Sequence, residues 1–154
     1  MYPYKLEHIC SYRAGLSPDF EVIGPTPEGL RVNIYVTGGE ITGPKLQGRF
    51  LPVGADWLTI RPDGVALLDV RATIKTHDDA LIYASYQGVA DLGEEGYQRF
   101  LDGDPVTKFS IHAAPRFITS HANYLWLNRL QCINIGEGDL TVPMAAYDVY
   151  ALAS

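Results

Sequence analysis

Val65-Ala66-Leu67-Leu68-Asp69-Val70-Arg71-Ala72-Thr73-Ile74-Lys75 is the longest alternating run of the chain, and Leu81-Ile82-Tyr83-Ala84-Ser85-Tyr86-Gln87-Gly88 follows it after the reversal His77-Asp78-Asp79-Ala80. Period two is the spacing of a strand, whose successive side chains point to opposite faces. The two runs therefore predict a β-hairpin. One face of the first run is wholly aliphatic (Ala66, Leu68, Val70, Ala72, Ile74), and the other carries Leu67, Asp69, Arg71, Thr73 and Lys75. Alternation alone leaves open which face lines the interior. With the polar face inward, Arg71 is a buried cation that must be paired or must bind an anionic or carbonyl-bearing ligand. With it outward, Arg71 is a solvated arginine.

Working outward, Leu30, Val32, Ile34 and Val36 alternate with Arg31, Asn33, Tyr35 and Thr37, and residues 6–13 alternate more weakly. Both read as strands. Between them, Ser17-Pro18-Asp19 and Gly24-Pro25-Thr26-Pro27-Glu28-Gly29 read as loops, since two prolines and two glycines in six residues cannot sustain a ladder. Gly38-Gly39-Glu40 reads as a link to residues 41–48, whose spaced glycines suit bulges in a curved strand. Leu51-Pro52-Val53-Gly54-Ala55-Asp56-Trp57 reads as a turn or loop before a short strand at 58–61, and Pro62-Asp63-Gly64 as a tight reversal. Residues 93–103, with early acids, a final Gly103 and Tyr97, Phe100 and Leu101 at i, i+3, i+4 spacing, predict the one helix. Residues 107–112, 116–119, 124–135 and 142–152 complete the strands. About eight to ten strands with short reversals and no internal repeat predict a single all-β domain over 1–154, an antiparallel up-and-down β-barrel.

Composition fits this and narrows function. Of 154 residues, 47% are hydrophobic and only 19% charged, and 15 Gly with 10 Pro exclude a long helical bundle. A net charge of −6 offers no attraction to phosphate backbones or anionic lipid, so neither nucleic acid nor membrane is an expected partner. The segment from Met1 to His8 lacks the apolar core of a secretory signal, and no apolar run reaches the roughly 18 residues of a membrane helix. Cytoplasmic localisation is the expectation. Cys10 and Cys132 lie in strand-like runs and read as buried free thiols, and two cysteines with four scattered histidines argue against a metal site.

Several groups could carry chemistry. His77-Asp78-Asp79 reads as a solvated turn, because adjacent turn residues seldom point at one ion. Pro115-Arg116-Phe117 and Tyr124-Leu125-Trp126-Leu127-Asn128 gather aromatic, cationic and amide groups; this suits a pocket wall, or an ordinary core with Asn128 satisfying a turn. His112 and His121 are able to move a proton near neutral pH, or are structural.

Taken together, Gly-Gly-Glu-Ile-Thr-Gly-Pro-Lys-Leu-Gln-Gly (38–48), Leu-Pro-Val-Gly-Ala-Asp-Trp (51–57), Arg-Pro-Asp-Gly (61–64), Asp-Val-Arg-Ala-Thr (69–73), Leu-Ile-Tyr (81–83) and Pro-Arg-Phe with Tyr-Leu-Trp-Leu-Asn (115–128) resemble the small proteins of domain of unknown function 3237. The resemblance implies a calycin-like, streptavidin-like β-barrel with a cavity, usually a homo-oligomer (expected here as a dimer), and no settled activity. It favours Arg71 and Thr73 facing inward with Trp126 and Asn128 across the cavity, and Asp56-Trp57 at the barrel rim, where desolvation tunes the acid. The chain departs from the family pattern at Asp79-Ala80, where Asp-Gly is usual, and at Ile118, where Glu is usual. If that Glu is an acid or base in relatives, proton transfer here falls to Asp56, His112, Tyr83 or another group.

Three functions fit these residues. The first is a cofactor-independent, metal-free small-molecule enzyme of isomerase, cyclase, lyase or hydrolase type. It would act on a carbonyl-bearing or aromatic substrate, with Asp56, Arg71, His112 and Tyr83 catalytic and Trp57, Thr73, Arg116, Tyr124, Trp126 and Asn128 binding. The second is a lipocalin-like binder of a small apolar ligand, and the third is a barrel filled by its own side chains. The barrel interior discriminates among them.

Overall fold

A computed structural model describes residues 1–153. Its strands are β1 (Lys5–Leu16), β2 (Glu21–Thr26), β3 (Gly29–Thr42), β4 (Gly48–Ile60), β5 (Val65–Thr76), β6 (Leu81–Asp91), β7 (Phe109–Ala113), β8 (Arg116–Ile118), β9 (Cys132–Asp139) and β10 (Met144–Ala153). The helix α1 spans Gly96–Leu101, and a 3₁₀ segment spans Ala122–Arg129. Strand order is β1-β10-β9-β7-β6-β5-β4-β3, all antiparallel, and β1 pairs with β3 to close the ring. β8 prolongs β7, since Gly88↔Ala113 and Ser85↔Arg116 keep one register along β6 across Ala114-Pro115. The ring thus has eight staves, and β2 lies outside it on β3. The predicted up-and-down barrel is borne out.

The β5–β6 hairpin pairs in one unbroken register from Val65↔Asp91 to Lys75↔Leu81, and it settles the facing question. Ala66, Leu68, Val70, Ala72 and Ile74 are all buried, whereas Arg71 is exposed and Thr73 half-buried on the outer face. Each large aliphatic side chain gains about 1.5–3 kcal/mol on burial, while an unpaired buried guanidinium costs several kcal/mol. Both terms push the same way, and the inward placement of Arg71 and Thr73 is corrected.

Other expectations shift for local reasons. The segment 51–57 is not a loop but part of β4, whose pairing with β5 shifts by two residues between Phe50 and Gly54, so that Pro52 and Val53 bulge outward. Residues 24–29 form a tight hairpin, Thr26↔Gly29, whose prolines are tolerated because β2 is an edge strand. Gly38-Gly39 lies inside β3, where a Cβ on Gly39 would come within 2.3 Å of the Arg13 carbonyl oxygen; the glycine lets β1 cross. In the 77–80 turn the left-handed residue is Asp79 (φ 69°), and Ala80 is buried.

The predicted strand 124–135 is instead the 3₁₀ segment followed by β9. Side-chain bonds favour the helical turn: the His121 ring nitrogen accepts from the Asn123 N–H (3.2 Å), and the Tyr124 hydroxyl donates to Asp78 (2.6 Å). Asn128 clamps the neighbouring chain, accepting from the Thr119 N–H and donating to the Thr119 carbonyl, both at 2.9 Å. Losing two such bonds costs about 1–3 kcal/mol. Asn128→Ala is therefore expected to lower the urea midpoint without altering ligand binding in the barrel; unchanged stability with lost binding contradicts this structural role.

The interior has two halves. At one end Ile9, Ile41, Leu46, Ile74, Ile82, Cys132 and Val149 are buried together with Leu127 of the 3₁₀ segment. Cys10 and Cys132 are buried free thiols, as expected, and burial lifts Cys10 to about 12 and Cys132 to about 11. Across the middle Tyr12, Phe50, Tyr86 and Tyr147 form an aromatic floor, with ring centroids 4.7 Å (Tyr12–Phe50), 5.1 Å (Tyr12–Tyr147) and 5.9 Å (Tyr86–Tyr147) apart. Beyond that floor the barrel is hollow.

Candidate functional site

The hollow half is a cavity of about 50 Å³, walled by aliphatic residues of β1, β3, β5, β6 and β10. That is room for a few water-sized groups. Its outer end is framed by Leu16, Leu92 and Phe109, the residues at which the chain leaves the barrel for the 17–20 loop and enters and leaves the α1 connection. Phe20 of that loop stacks on Phe100 of α1 at 6.1 Å, and both pack against the core. The cavity lies below these two segments.

Among the described residues, a single side-chain carboxyl faces this apolar space. Asp56 sits in mid-strand opposite Ile34 of β3 and Val70 of β5, and lines the cavity rather than the rim. Its Oδ1 accepts the Asp69 backbone N–H at 3.0 Å. The bond coincides with a break in the sheet: the β4–β5 ladder runs from Gly54 to Asp56 and resumes at Thr59, skipping the Trp57–Asp69 and Leu58–Leu68 positions. Burial among apolar groups pushes the Asp56 carboxyl up to about 7; the Asp69 N–H opposes this and the Asp69 charge adds to it. A carboxyl that is partly protonated near neutral pH can both take and give a proton.

Three tyrosines, Tyr12, Tyr86 and Tyr147, are buried on the floor beside the cavity. Tyr86 and Tyr147 line the cavity and feel the Asp56 charge, and their rings lie 5.9 Å apart. Desolvation holds all three phenols well above their ordinary range, so they stay protonated donors. Behind them Asn134, fully buried, donates to the Tyr12 hydroxyl at 2.8 Å, while its Oδ1 has no protein partner.

Of the residues singled out from sequence, only Asp56 reaches the cavity. Trp57 faces outward, its ring 5.4 Å from the Arg71 guanidinium. Arg71, Tyr83, His112 and Arg116 are exposed on the outer surface, because their neighbours Val70, Ala84, Ile111 and Phe117 take the inward positions. Tyr124 is buried, but at the packed end on Asp78, whose carboxyl is held well below the usual range by bonds from Thr76, Tyr124 and Asn123. Trp126 is outside the cavity, with Lys45 over its ring at 6.0 Å, and Asn128 serves the Thr119 backbone. The proposed wall of Trp126 and Asn128 across from Arg71 is thus corrected. His8, Ser11 and Asp148 meet on the surface, where the Ser11 hydroxyl donates to Asp148 and the His8 ring nitrogen therefore donates to the Ser11 oxygen instead of serving as its base.

Sequence reasoning missed Tyr12, Tyr86, Tyr147 and Asn134. A signal existed for Tyr86, which shares a face with Ile82 and Ala84. No group of three or more His, Cys, Asp or Glu residues placed to hold a metal occurs among the described residues.

Comparison with known proteins agrees with the fold. A family model described as protein of unknown function (DUF3237) matches residues 4–152. A UPF0311 protein of Rhodopseudomonas palustris is 33% identical over 134 residues, 86% of each chain. A β-barrel-like protein of Acinetobacter baumannii superposes with a TM-score of 0.83 at 30% identity, covering 99% of this chain and 98% of that one. A structure described as an enzyme from Penicillium herquei superposes with a TM-score of 0.73 at 21% identity, covering 99% and 97%.

Proposed function

The chain belongs to the DUF3237 family, and from that premise we propose that it is a cofactor-independent enzyme moving a proton on a small, largely apolar, carbonyl-bearing molecule held in the barrel. The observation that carries this reading is the Asp56 carboxyl in a cavity lined otherwise by aliphatic and aromatic residues, two of them neutral tyrosine donors. Asp56 acts as the acid–base group. Its ionised form takes a proton from the carbon beside the carbonyl, and Tyr86 and Tyr147 donate hydrogen bonds to the oxygen as enolate charge develops. The protonated carboxyl then returns the proton at the same carbon or a neighbouring one, the outcome of an isomerisation. Low dielectric strengthens each of these interactions.

The Penicillium herquei protein is an enzyme on a barrel of this shape; the reading for this chain rests on its own side chains. A purely binding role is favoured by one feature, the largely apolar lining, which would retain an apolar ligand without chemistry.

Proton exchange tests the choice without knowledge of the natural substrate. Butanone and cyclopentanone, incubated with the protein in deuterated buffer, are expected to gain deuterium beside the carbonyl faster than in buffer alone, as read by mass spectrometry. Tyr86→Phe is expected to slow exchange about 10²-fold, the usual cost of one oxyanion donor, and Asp56→Asn to abolish it. Probes that bind, shown by chemical-shift changes of cavity methyl groups, yet return unlabelled favour the binding role.

A further inference from the structure

On the outer wall, facing away from the cavity, the register sets Arg71, Ser85 and Arg116 abreast on three adjoining strands. Arg71 is the Cα partner of Ser85 across β5–β6, and Ser85 is that of Arg116 across β6–β8. Directly paired side chains leave the sheet about 5 Å apart, so two long cations rise on either side of one small residue. With Asp69, Tyr83 and Gln87 they line an open groove of about 400 Å³, notched where Ala114-Pro115 interrupts the β7–β8 stave.

The charge arrangement lacks an internal explanation. Arg71 and Arg116 stand two strands apart on one face, with Ser85 and no carboxylate between them. Among the described residues the ion pairs are Lys45–Glu7, Arg61–Asp63, Lys75–Asp79 and Arg99–Asp104, and neither groove arginine takes part. Asp69 stands on the same face two residues from Arg71 without pairing to it. The Trp57 ring under the Arg71 guanidinium holds it as a planar donor while leaving its N–H edges free. Such a cluster on a chain of net charge −6 is local, not part of a general basic surface.

We propose that this groove is a binding site for a small oxyanion, a carboxylate or phosphate group clamped between Arg71 and Arg116 over the Ser85 hydroxyl, with the Tyr83 hydroxyl as a further donor. Planar guanidinium forks match such groups in pairs of hydrogen bonds. The site is separate from the barrel interior and stands whether or not the cavity is catalytic.

Calorimetric titration at low ionic strength with two probes, inorganic phosphate and succinate, tests it, and the tighter of the two tells which oxyanion the groove prefers. Wild-type protein is expected to bind at least one probe saturably with a stoichiometry of one per chain. Arg71→Gln and Arg116→Gln are each expected to weaken that binding at least about tenfold, while Arg49→Gln, an exposed arginine outside the groove, leaves it unchanged. Trp57 emission, measured in a Trp126→Phe background, is expected to shift on saturation. Absence of saturable binding of both probes, or equal loss in Arg49→Gln, overturns the proposal. So does dissociation of an oligomer by Arg71→Gln without any anion binding, because the groove would then serve a second copy of the chain.

Discussion

Asp56→Asn is expected to make the protein more stable at neutral pH while removing its proton-transfer activity. The sign follows from the direction of the shift. The folded carboxyl has its pKa raised from 3.8 to about 7, so between those values the native state holds a proton that the unfolded chain has released. Wild-type stability is fully present below the unfolded pKa, falls as pH rises toward 7, and then levels. A shift of about three units corresponds to about 4 kcal/mol at the plateau, and water in the cavity reduces this toward about 2 kcal/mol. Asn keeps an oxygen to accept the Asp69 N–H and has no charge to desolvate, so its stability curve lacks the fall. Urea unfolding of both proteins from pH 4.5 to 8 reads the difference. The expected result is a gap that widens by about 2–4 kcal/mol toward pH 7; parallel curves would place Asp56 in water and end its role. A functional residue that destabilises its own fold is the familiar trade-off of active sites.

Gly54→Ala carries the second large effect, on the architecture that presents Asp56. Gly54 closes the outward bulge of β4 with φ at +94°, and a Cβ there would stand 2.1 Å from the Arg71 carbonyl oxygen, a backbone atom that cannot swing aside. Left-handed strain costs an alanine about 1–2 kcal/mol, and the overlap forces the strands apart for about 1–3 kcal/mol more. The expected loss is about 3 kcal/mol or more, seen as a drop in Tm of about 6–12 °C for a chain of this size. Gly24→Ala is the matched control, since Gly24 also has positive φ (+103°) but open space around it, and about 1 kcal/mol is expected there. Equal losses at the two positions would show that strand approach at Gly54 contributes nothing.

The fold was legible because it rests on periodicity and punctuation. The β5–β6 hairpin, the helix near 96–101 and the count of staves follow from alternation and from where glycine and proline interrupt it. What alternation could not show was continuity through a bulge. Leu51 to Trp57, with Pro52 and Gly54, reads as a loop, yet a two-residue shift in register lets β4 run on and keeps Asp56 on the inner face. The 3₁₀ segment was hidden for a different reason, since Tyr124 and Asn128 are held by Asp78 and Thr119, partners distant or opaque in sequence.

The site was less legible. Asp56 was identified as an acid whose charge state desolvation would tune, and it lies in the cavity. Alternation left the facing of Arg71 and Thr73 open and the family resemblance favoured the inward side, whereas a cation without a partner belongs outside. Tyr86 and Tyr147 were indistinguishable from core aromatics in sequence, because only closure of the barrel brings β6 and β10 to the same floor. Arg71, Tyr83 and Arg116 do meet, but on the outer wall.

The central claim is that a lone carboxyl in an apolar barrel is poised near neutrality, and carbon-13 NMR of aspartate-labelled protein measures it directly. The carboxyl resonance missing from Asp56→Asn identifies the group, and its chemical shift is followed from pH 3 to 9. A midpoint of about 7 is predicted. A midpoint near 4, the ordinary aspartate value, contradicts the account, because a group already ionised throughout the physiological range would be solvated and not the proton donor and acceptor of this cavity.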